Sequence, residues 1–218
     1  LAGLYSDRVG RRMTVMTACA LLIVVVYPSF LMASSGSFAA SVVGVMLLAI
    51  GAMLWLLAAA GDAAHGMLMF PVLNRHSQRN AVSYLGARVM DAVFVAIMAL
   101  FILLQIPLAS EYMKAGAANA EFLQSLGSVF TQAQLYAYHF GMLTVGCAGL
   151  MLNYAFYRAR LMPRALGVWG LVGYAVILCG SVLEIMGFNL NLLHTLPGGL
   201  WELFVGVWLI VKGFKASP

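Results

Sequence analysis

The sequence predicts an all-α protein, a transmembrane helix bundle with about six spans. Hydrophobic residues make up 63% of the 218 residues and charged residues only 9%, whereas about a quarter of the residues of a soluble domain are charged. The mean hydropathy is +0.96. Because one span uses roughly 20 apolar residues, six spans with short connections account for the chain and leave no room for a soluble domain.

Six apolar runs are the candidate spans, at about 13–33, 38–60, 82–106, 132–157, 165–187 and 197–211. Pro28 falls within the first run, where a membrane helix tolerates it as a kink. Pro107 is expected to end the third run, because helices tend to stop just before a proline. Residues 65–81 are predicted to be a loop with a short interfacial segment, and the more polar stretch 108–131 is predicted to be the longest loop.

Basic residues are distributed unequally over the two sides that six spans define. Lys114 lies alone on one side, and Arg88 lies inside a span. The other side receives Arg8, Arg11, Arg12, Arg75, Arg79, Arg158, Arg160, Arg164, Lys212 and Lys215. Since loops rich in Lys and Arg stay in the cytoplasm, both termini are predicted to be cytoplasmic.

Composition and motifs exclude several function classes. The net charge of +5 comes from small clusters at the ends of apolar runs rather than from a continuous basic face, so no nucleic-acid partner is expected. The histidines share no metal-ligand spacing, and the cysteines lie singly in apolar runs, so no metal or other cofactor is expected. Because no nucleotide-binding or hydrolase motif is present, the chain is predicted not to be an enzyme.

The first twelve residues contain the spacing G-x-x-S-D-R-x-G-R-R, formed by Gly3, Ser6, Asp7, Arg8, Gly10, Arg11 and Arg12. This spacing resembles the signature cytoplasmic loop of the major facilitator superfamily, and residues 1–53 resemble the middle of a metabolite:proton symporter of that superfamily. The resemblance implies a transport role. Such carriers have twelve helices in two similar halves, whereas this chain has one such loop and begins at Leu1, so residues 1–53 are interpreted as a fused fragment or the loop as an ordinary positive turn.

Residues 54–218 carry a second set of motifs. They are Phe70-Pro71-Val72-Leu73, Arg88-x-x-Asp91, Tyr157-Arg158-x-Arg160-Leu161-x-Pro163-x-x-Leu166, and the segment from Trp201-Glu202 through Trp208 to Phe214. This pattern resembles the uncharacterised bacterial membrane family DUF4386. The family is one of six-helix membrane proteins, so the resemblance implies that residues 54–218 are a helical membrane domain in a bacterial inner membrane, and it implies no mechanism.

Five ionisable residues of the spans are the candidate sites for proton or ion coupling, since such residues in a membrane are often functional. Arg88 and Asp91 are three residues apart on one helical face, which favours a mutually neutralising ion pair over a gating pair. His139, Glu184 and Glu202, with His194 in the link, are predicted to lie toward the outer side. The two glutamates could carry protons there, or could be hydrated groups or hydrogen-bonding contacts between helices.

Two hypotheses for the function follow from these observations. The first is a proton-linked carrier that works as a homo-oligomer in the lipid bilayer, and Glu202 is its first candidate for proton coupling. The second is a membrane module that transports nothing and acts as a partner or sensor subunit of another membrane protein.

Gly167, Gly170 and Gly173 recur every three residues and predict close contact between helices.

Overall fold

The computed structural model describes residues 38–114, 117–191 and 193–212, and most of these residues lie in helices joined by short turns. Four long helices are followed by a short 3₁₀ turn and a fifth helix. They are α1 (Phe38–Asn74), α2 (Gln78–Lys114), α3 (Ala117–Ala159), α4 (Arg164–Ile185), the 3₁₀ turn (Leu193–Thr195) and α5 (Leu196–Lys212). These helices contain the last five predicted runs. The first run and the signature loop lie outside the described residues.

Two predicted loops are helical, and both predictions were wrong. α1 continues through Pro71 to Asn74, so that only residues 75–77 separate it from α2. α2 continues through Pro107 to Lys114, and α3 begins at Ala117. A proline removes one backbone donor and bends a helix, but in these long apolar segments it does not end one. The polar residues of 108–131 extend the two helices instead of forming a long loop.

The chain divides into two compact units. Each of the first three helices has one part in the first unit and its other part in the second. The first unit holds the described residues up to Trp55 together with Ala99–Thr131. Within it, the rings of Phe101 and Phe130 lie 6.1 Å apart. The second unit holds Leu56–Met98 and the residues from Gln132 onward, and every ionisable candidate residue within the described ranges belongs to it.

The core of the second unit combines large apolar side chains with glycines that let helices approach. Its largest buried members include Tyr84, Phe156 and Tyr174. Gly167, Gly170 and Gly173 are all buried on α4. A Cβ on Gly170 would come within 2.0 Å of Asn153 of α3, and one on Gly173 within 3.1 Å of the backbone of Gly198 in α5. The prediction that this glycine repeat allows close helix contact is therefore confirmed.

The connection from α4 to α5 turns back toward α4. Gly187 has a φ of +96°, a left-handed conformation that glycine adopts most readily. The Glu184 carboxylate then accepts a hydrogen bond from the backbone N–H of Leu190 at 2.8 Å. In the 3₁₀ turn, His194 packs on Gly180, where a Cβ would be only 2.3 Å from the imidazole. As a result, α5 starts beside the middle of α4 rather than beside its end.

Candidate functional site

Arg88 is the centre of a charged cluster in the second unit. α1 and α2 form a tight hairpin, in which Gly66 allows the Arg88 side chain to pass close to α1, since a Cβ on Gly66 would lie 3.0 Å from Arg88 Cβ. Arg88 Nη2 donates to Asp62 Oδ1 of α1. Arg88 Nη1 donates to Asp91 Oδ2 on α2 at 3.2 Å. One guanidinium thus holds two carboxylates.

The i,i+3 ion pair predicted between Arg88 and Asp91 is present. Asp91 is only 2% exposed and is among the most deeply buried polar residues. Because an unpaired buried charge costs several kcal/mol, the pairing with Arg88 is the condition for this burial. Gly141 of α3 lies against Asp91, with 3.5 Å between its ideal Cβ position and Asp91 Oδ1, so the pair sits where α2 packs on α3.

A second polar pair lies next to this cluster. The Tyr84 hydroxyl and His65 Nδ1 are 3.0 Å apart, and their rings meet edge to face. Tyr84 is fully buried in the core. This hydrogen bond gives its hydroxyl a partner and ties α1 to α2 one helical turn from the Arg88–Asp62 contact.

Glu202 enters the same region from α5. Its Oε1 accepts a hydrogen bond of 2.5 Å from the Tyr174 hydroxyl of α4. Trp201, beside it, is buried, donates its indole N–H to the Leu166 carbonyl at 2.7 Å and meets the Tyr174 ring edge to face. These contacts fix the direction of the α5 side chains toward α4, and with it the position of Glu202.

These groups line a cavity of about 320 Å³ within the second unit. Its charged and polar walls come from α1, α2, α4 and α5, while α3 contributes apolar and glycine positions. The lining consists of Asp62, His65, Met69, Tyr84, Arg88, Val145, Ala148, Gly149, Leu152, Phe156, Tyr174, Trp201, Glu202, Val205, Gly206 and Leu209. Convergent polar groups in an otherwise apolar and aromatic pocket are typical of small-molecule sites.

The polar groups of the cavity share one depth along their helices. Arg88 and Tyr174 each lie ten residues after the start of their helix, Glu202 lies ten residues before the end of α5 and Asp62 lies twelve before the end of α1. At 1.5 Å per residue these offsets are about 15–18 Å, half of the roughly 30 Å of a hydrocarbon core. The helix ends from which they are counted lie at or within a few residues of Arg75, Arg79, Arg164 and Lys212.

A separate cluster contains the remaining candidate residues, none of which lines the cavity. His139 of α3 places its Nε2 3.9 Å from Glu184 Oε2 of α4, and its ring lies 6.4 Å from that of His194. Both histidines are 6% exposed. Among the described residues, no hydrogen-bond partner is present for His139 Nδ1 or for either ring nitrogen of His194.

Neither cluster has the geometry of a metal centre. Among the residues that the structure describes, no group of three or more His, Cys, Asp or Glu side chains is arranged to hold a metal ion. The second cluster is therefore a contact between α3, α4 and the 3₁₀ turn that contains ionisable groups.

The structure divides the five predicted coupling residues between these two places. Arg88 and Glu202 line the cavity and Asp91 adjoins it, whereas His139 and Glu184 belong to the second cluster. The sequence interpretation had grouped Glu202 with His139 and Glu184 at the outer side. The signature-loop residues Gly3, Asp7, Arg8, Gly10, Arg11 and Arg12 lie outside the described residues.

Sequence reasoning missed four polar residues of the cavity: Asp62, His65, Tyr84 and Tyr174. Asp62 and His65 follow the apolar run that ends near residue 60, but both lie inside α1, which continues to Asn74. A signal was available for Asp62. The apolar segment 67–73 continues the helix beyond it, and an acid inside a membrane helix is a candidate functional residue.

These features define the class of the protein, a multi-pass helical membrane protein with a charged cavity. Five described helices are long and apolar enough to cross a membrane: Ala49–Asn74, Gln78–Lys114, Asn119–Ala159, Arg164–Ile185 and Leu193–Lys212. Their large apolar side chains are widely exposed, as at Leu57 (69%) and Leu68 (70%). Such surfaces are unfavourable in water and suit a bilayer.

The family follows from a comparison with family models. The model described as domain of unknown function (DUF4386) matches residues 10–213, and the chain therefore belongs to that family. The match begins well before residue 54, which was the expected start of the resemblance. The comparisons do not support the resemblance of residues 1–53 to the major facilitator superfamily. Searches of curated proteins and of solved structures give no match.

Proposed function

We propose that the protein is a carrier of small solutes, and that the cavity around Arg88 and Glu202 is its solute site. The observation that carries this proposal is the set of charged groups that lie about 15–18 Å from the basic helix ends and line a space large enough for a small molecule. Ionisable groups in the middle of a bilayer are costly, and where they occur they often bind solutes, ions or protons. A site halfway across the membrane is also the position from which a carrier can expose a solute to either side.

Glu202 is the residue to which we assign proton coupling. The two terminal nitrogens of Arg88 are engaged by Asp62 and Asp91, whereas Glu202 has a neutral partner, the Tyr174 hydroxyl. The Glu202 carboxylate is therefore the acid of the cavity that Arg88 does not neutralise, and it is the one that a coupling proton could neutralise. Protonation also removes the charge that would oppose movement of the site within the bilayer.

We also propose an orientation of the helices in the membrane and an oligomeric state. The basic helix ends lie on the cytoplasmic side of a bacterial inner membrane, because Lys and Arg accumulate on that side. These ends are near Arg75, Arg79, Arg158, Arg164 and Lys212. The described helices are few for an alternating-access carrier, so the working unit is a homo-oligomer or a complex with a second membrane protein.

The test is proton movement in proteoliposomes that contain a trapped pH-sensitive dye. A panel of small anionic, neutral and cationic solutes is added outside, and protein-free liposomes correct for passive permeation. We expect one solute class to drive proton flux in the wild type and not in Glu202→Gln. The matched control is Glu111→Gln, because Glu111 is exposed and forms an ion pair with Lys114 on the same helix, away from the cavity. Flux that persists in Glu202→Gln rejects the assignment of proton coupling to Glu202, and no flux with any solute class rejects the carrier proposal.

A sensor or partner subunit is the second candidate, and the same cavity favours it as much as it favours a carrier. In that case a solute would bind and stabilise the protein without any proton or solute flux. Binding in detergent together with silent proteoliposomes, and a stoichiometric partner recovered from native membranes, would select the sensor over the carrier.

A further inference from the structure

The charge of the cavity points to its ligand. We propose that the cavity selects small organic cations, and that a cation and a proton compete for the Glu202 carboxylate. The inference rests on the proposed function in assuming that this cavity is the solute site. It goes further because it names the chemical class of the solute. It also makes competition between the cation and the proton for Glu202 the basis of their coupling.

The first argument is the balance of charge. Two carboxylates, Asp62 and Glu202, line the cavity, and a third, Asp91, adjoins it through its ion pair with Arg88; of the described lining residues Arg88 alone carries a fixed positive charge. The formal balance is two negative charges in excess when all three acids are ionised. Such an excess at mid-membrane depth has to be neutralised, since isolated ions in a low dielectric are very costly. A proton or a bound cation can supply that neutralisation, whereas an anion would increase the excess.

The second argument is the aromatic wall beside Glu202. Tyr174 and Trp201 meet edge to face at 5.5 Å, and Tyr84 and Phe156 also line the cavity. The faces of aromatic rings attract ammonium groups, and the interaction is stronger where water is excluded. A carboxylate framed by aromatic rings is a suitable environment for a quaternary or protonated amine. An inorganic cation would instead require a shell of oxygen ligands.

The volume of the cavity limits the size of its ligand. A volume of about 320 Å³ is at the small end of ligand pockets, which hold roughly 300–1,000 Å³. The fit is therefore to an ammonium compound with few carbon atoms, and not to a large lipophilic cation.

Competition follows from the groups around Glu202. α4 contributes Tyr174, whose hydroxyl donates a hydrogen bond to the Glu202 carboxylate. α1 contributes Asp62 and His65 to the cavity, and α2 contributes Tyr84 and Arg88. The lining residues of α3 are without ionisable groups. Arg88 is already held by Asp62 and Asp91, so Glu202 remains the acid that a new cation can contact, and that contact requires its ionised form.

The experiment measures binding to the purified full chain in detergent micelles with tetramethylammonium as the probe. This ion has no proton to lose, so any pH dependence comes from the protein. tert-Butanol is the neutral analogue of similar shape, and acetate is the anionic comparison. Saturation-transfer NMR reports binding, and a pH indicator in weakly buffered solution reports protons released. The variants are Glu202→Gln and, as control, Glu111→Gln.

We expect tetramethylammonium to bind, to release protons, and to bind more weakly as the pH falls, by at most about tenfold per pH unit for one exchanged proton. Glu202→Gln should weaken binding at least about tenfold and abolish proton release, while Glu111→Gln should change neither. If acetate or tert-butanol binds better, or if Glu202→Gln binds tetramethylammonium as well as the wild type, the cation assignment is overturned.

The two proposals fail in different ways. Solute-driven proton flux with neutral or anionic compounds alone would overturn the cation assignment and leave the carrier proposal standing. Tetramethylammonium binding that depends on Glu202, without flux for any solute, would retain the cation site and reject the carrier. Absence of binding and of flux overturns both.

Discussion

Replacing Gly149 with alanine tests whether α3 and α4 are as close as the structure shows. A Cβ at this position would lie 2.1 Å from Cδ1 of Tyr174, and an ordinary contact begins at 3.4 Å. The ring cannot move away freely, because Tyr174 is only 5% exposed and its ring contacts Trp201. In addition, its hydroxyl donates a hydrogen bond to Glu202. We therefore expect Gly149→Ala to strain the wall of the cavity.

The size of the effect is the balance of two terms. Overpacking a filled core costs about 1–3 kcal/mol, and replacing a helical glycine with alanine gains up to about 1 kcal/mol. If the tyrosine ring is displaced, the loss of its hydrogen bond to a carboxylate adds about 1.5–3 kcal/mol. We expect a net loss of about 1–3 kcal/mol in the free energy of unfolding. Gly86→Ala is the control, since its Cβ would meet nothing within 4 Å, and it should be neutral or slightly stabilising.

Unfolding in mixed micelles by titration with sodium dodecyl sulfate, followed by circular dichroism, measures both variants. A double-mutant cycle with Tyr174→Ala isolates the contact. In the Tyr174→Ala background the penalty of Gly149→Ala should vanish, because the colliding ring is absent. A Gly149→Ala protein as stable as the Gly86→Ala protein, or a penalty that is unchanged in the Tyr174→Ala background, would refute the packing described for α3 and α4.

Two further predictions use the same unfolding assay. Trp201→Phe removes the indole donor to the Leu166 carbonyl and should cost about 0.5–1.5 kcal/mol; an unchanged midpoint would mean that this bond does not hold α5 against α4. Gly187→Ala forces a side chain into a left-handed conformation, with φ at +96°, and should cost about 1–2 kcal/mol, whereas a gain like that expected for Gly86→Ala would show that the turn is not formed.

The helices could be predicted from hydropathy, but their ends could not. Apolar runs locate helices α1 to α5 because every backbone group must be satisfied inside a bilayer, which favours helices there. The predicted end at Pro107 was wrong because a rule drawn from helix termini was applied to a helix interior, and the predicted end of α1 near residue 60 was wrong because α1 continues to Asn74. Polar residues beyond Pro107 were read as a loop, although polarity alone does not prevent a helix from extending past the membrane core.

Only part of the cavity could be predicted, because its members meet through the packing of helices and not through spacing in the sequence. The Arg88–Asp91 pair was accessible, since i,i+3 spacing places two residues on one face. The contact of Arg88 with Asp62 and that of Tyr174 with Glu202 join residues that lie 26 and 28 positions apart. Such partners depend on helix rotation and on the depth at which each helix starts, which a single sequence does not specify.

The turn between α4 and α5 sets how far the last helix can reach. α5 has 17 residues and a length of about 26 Å, which is shorter than the roughly 30 Å of hydrocarbon it has to cross. The three residues of the 3₁₀ turn add about 2 Å each, which brings the total to about 32 Å. The last span therefore reaches the full hydrocarbon thickness only when Leu193–Thr195 is counted in it, and on these lengths His194 falls at the edge of that span.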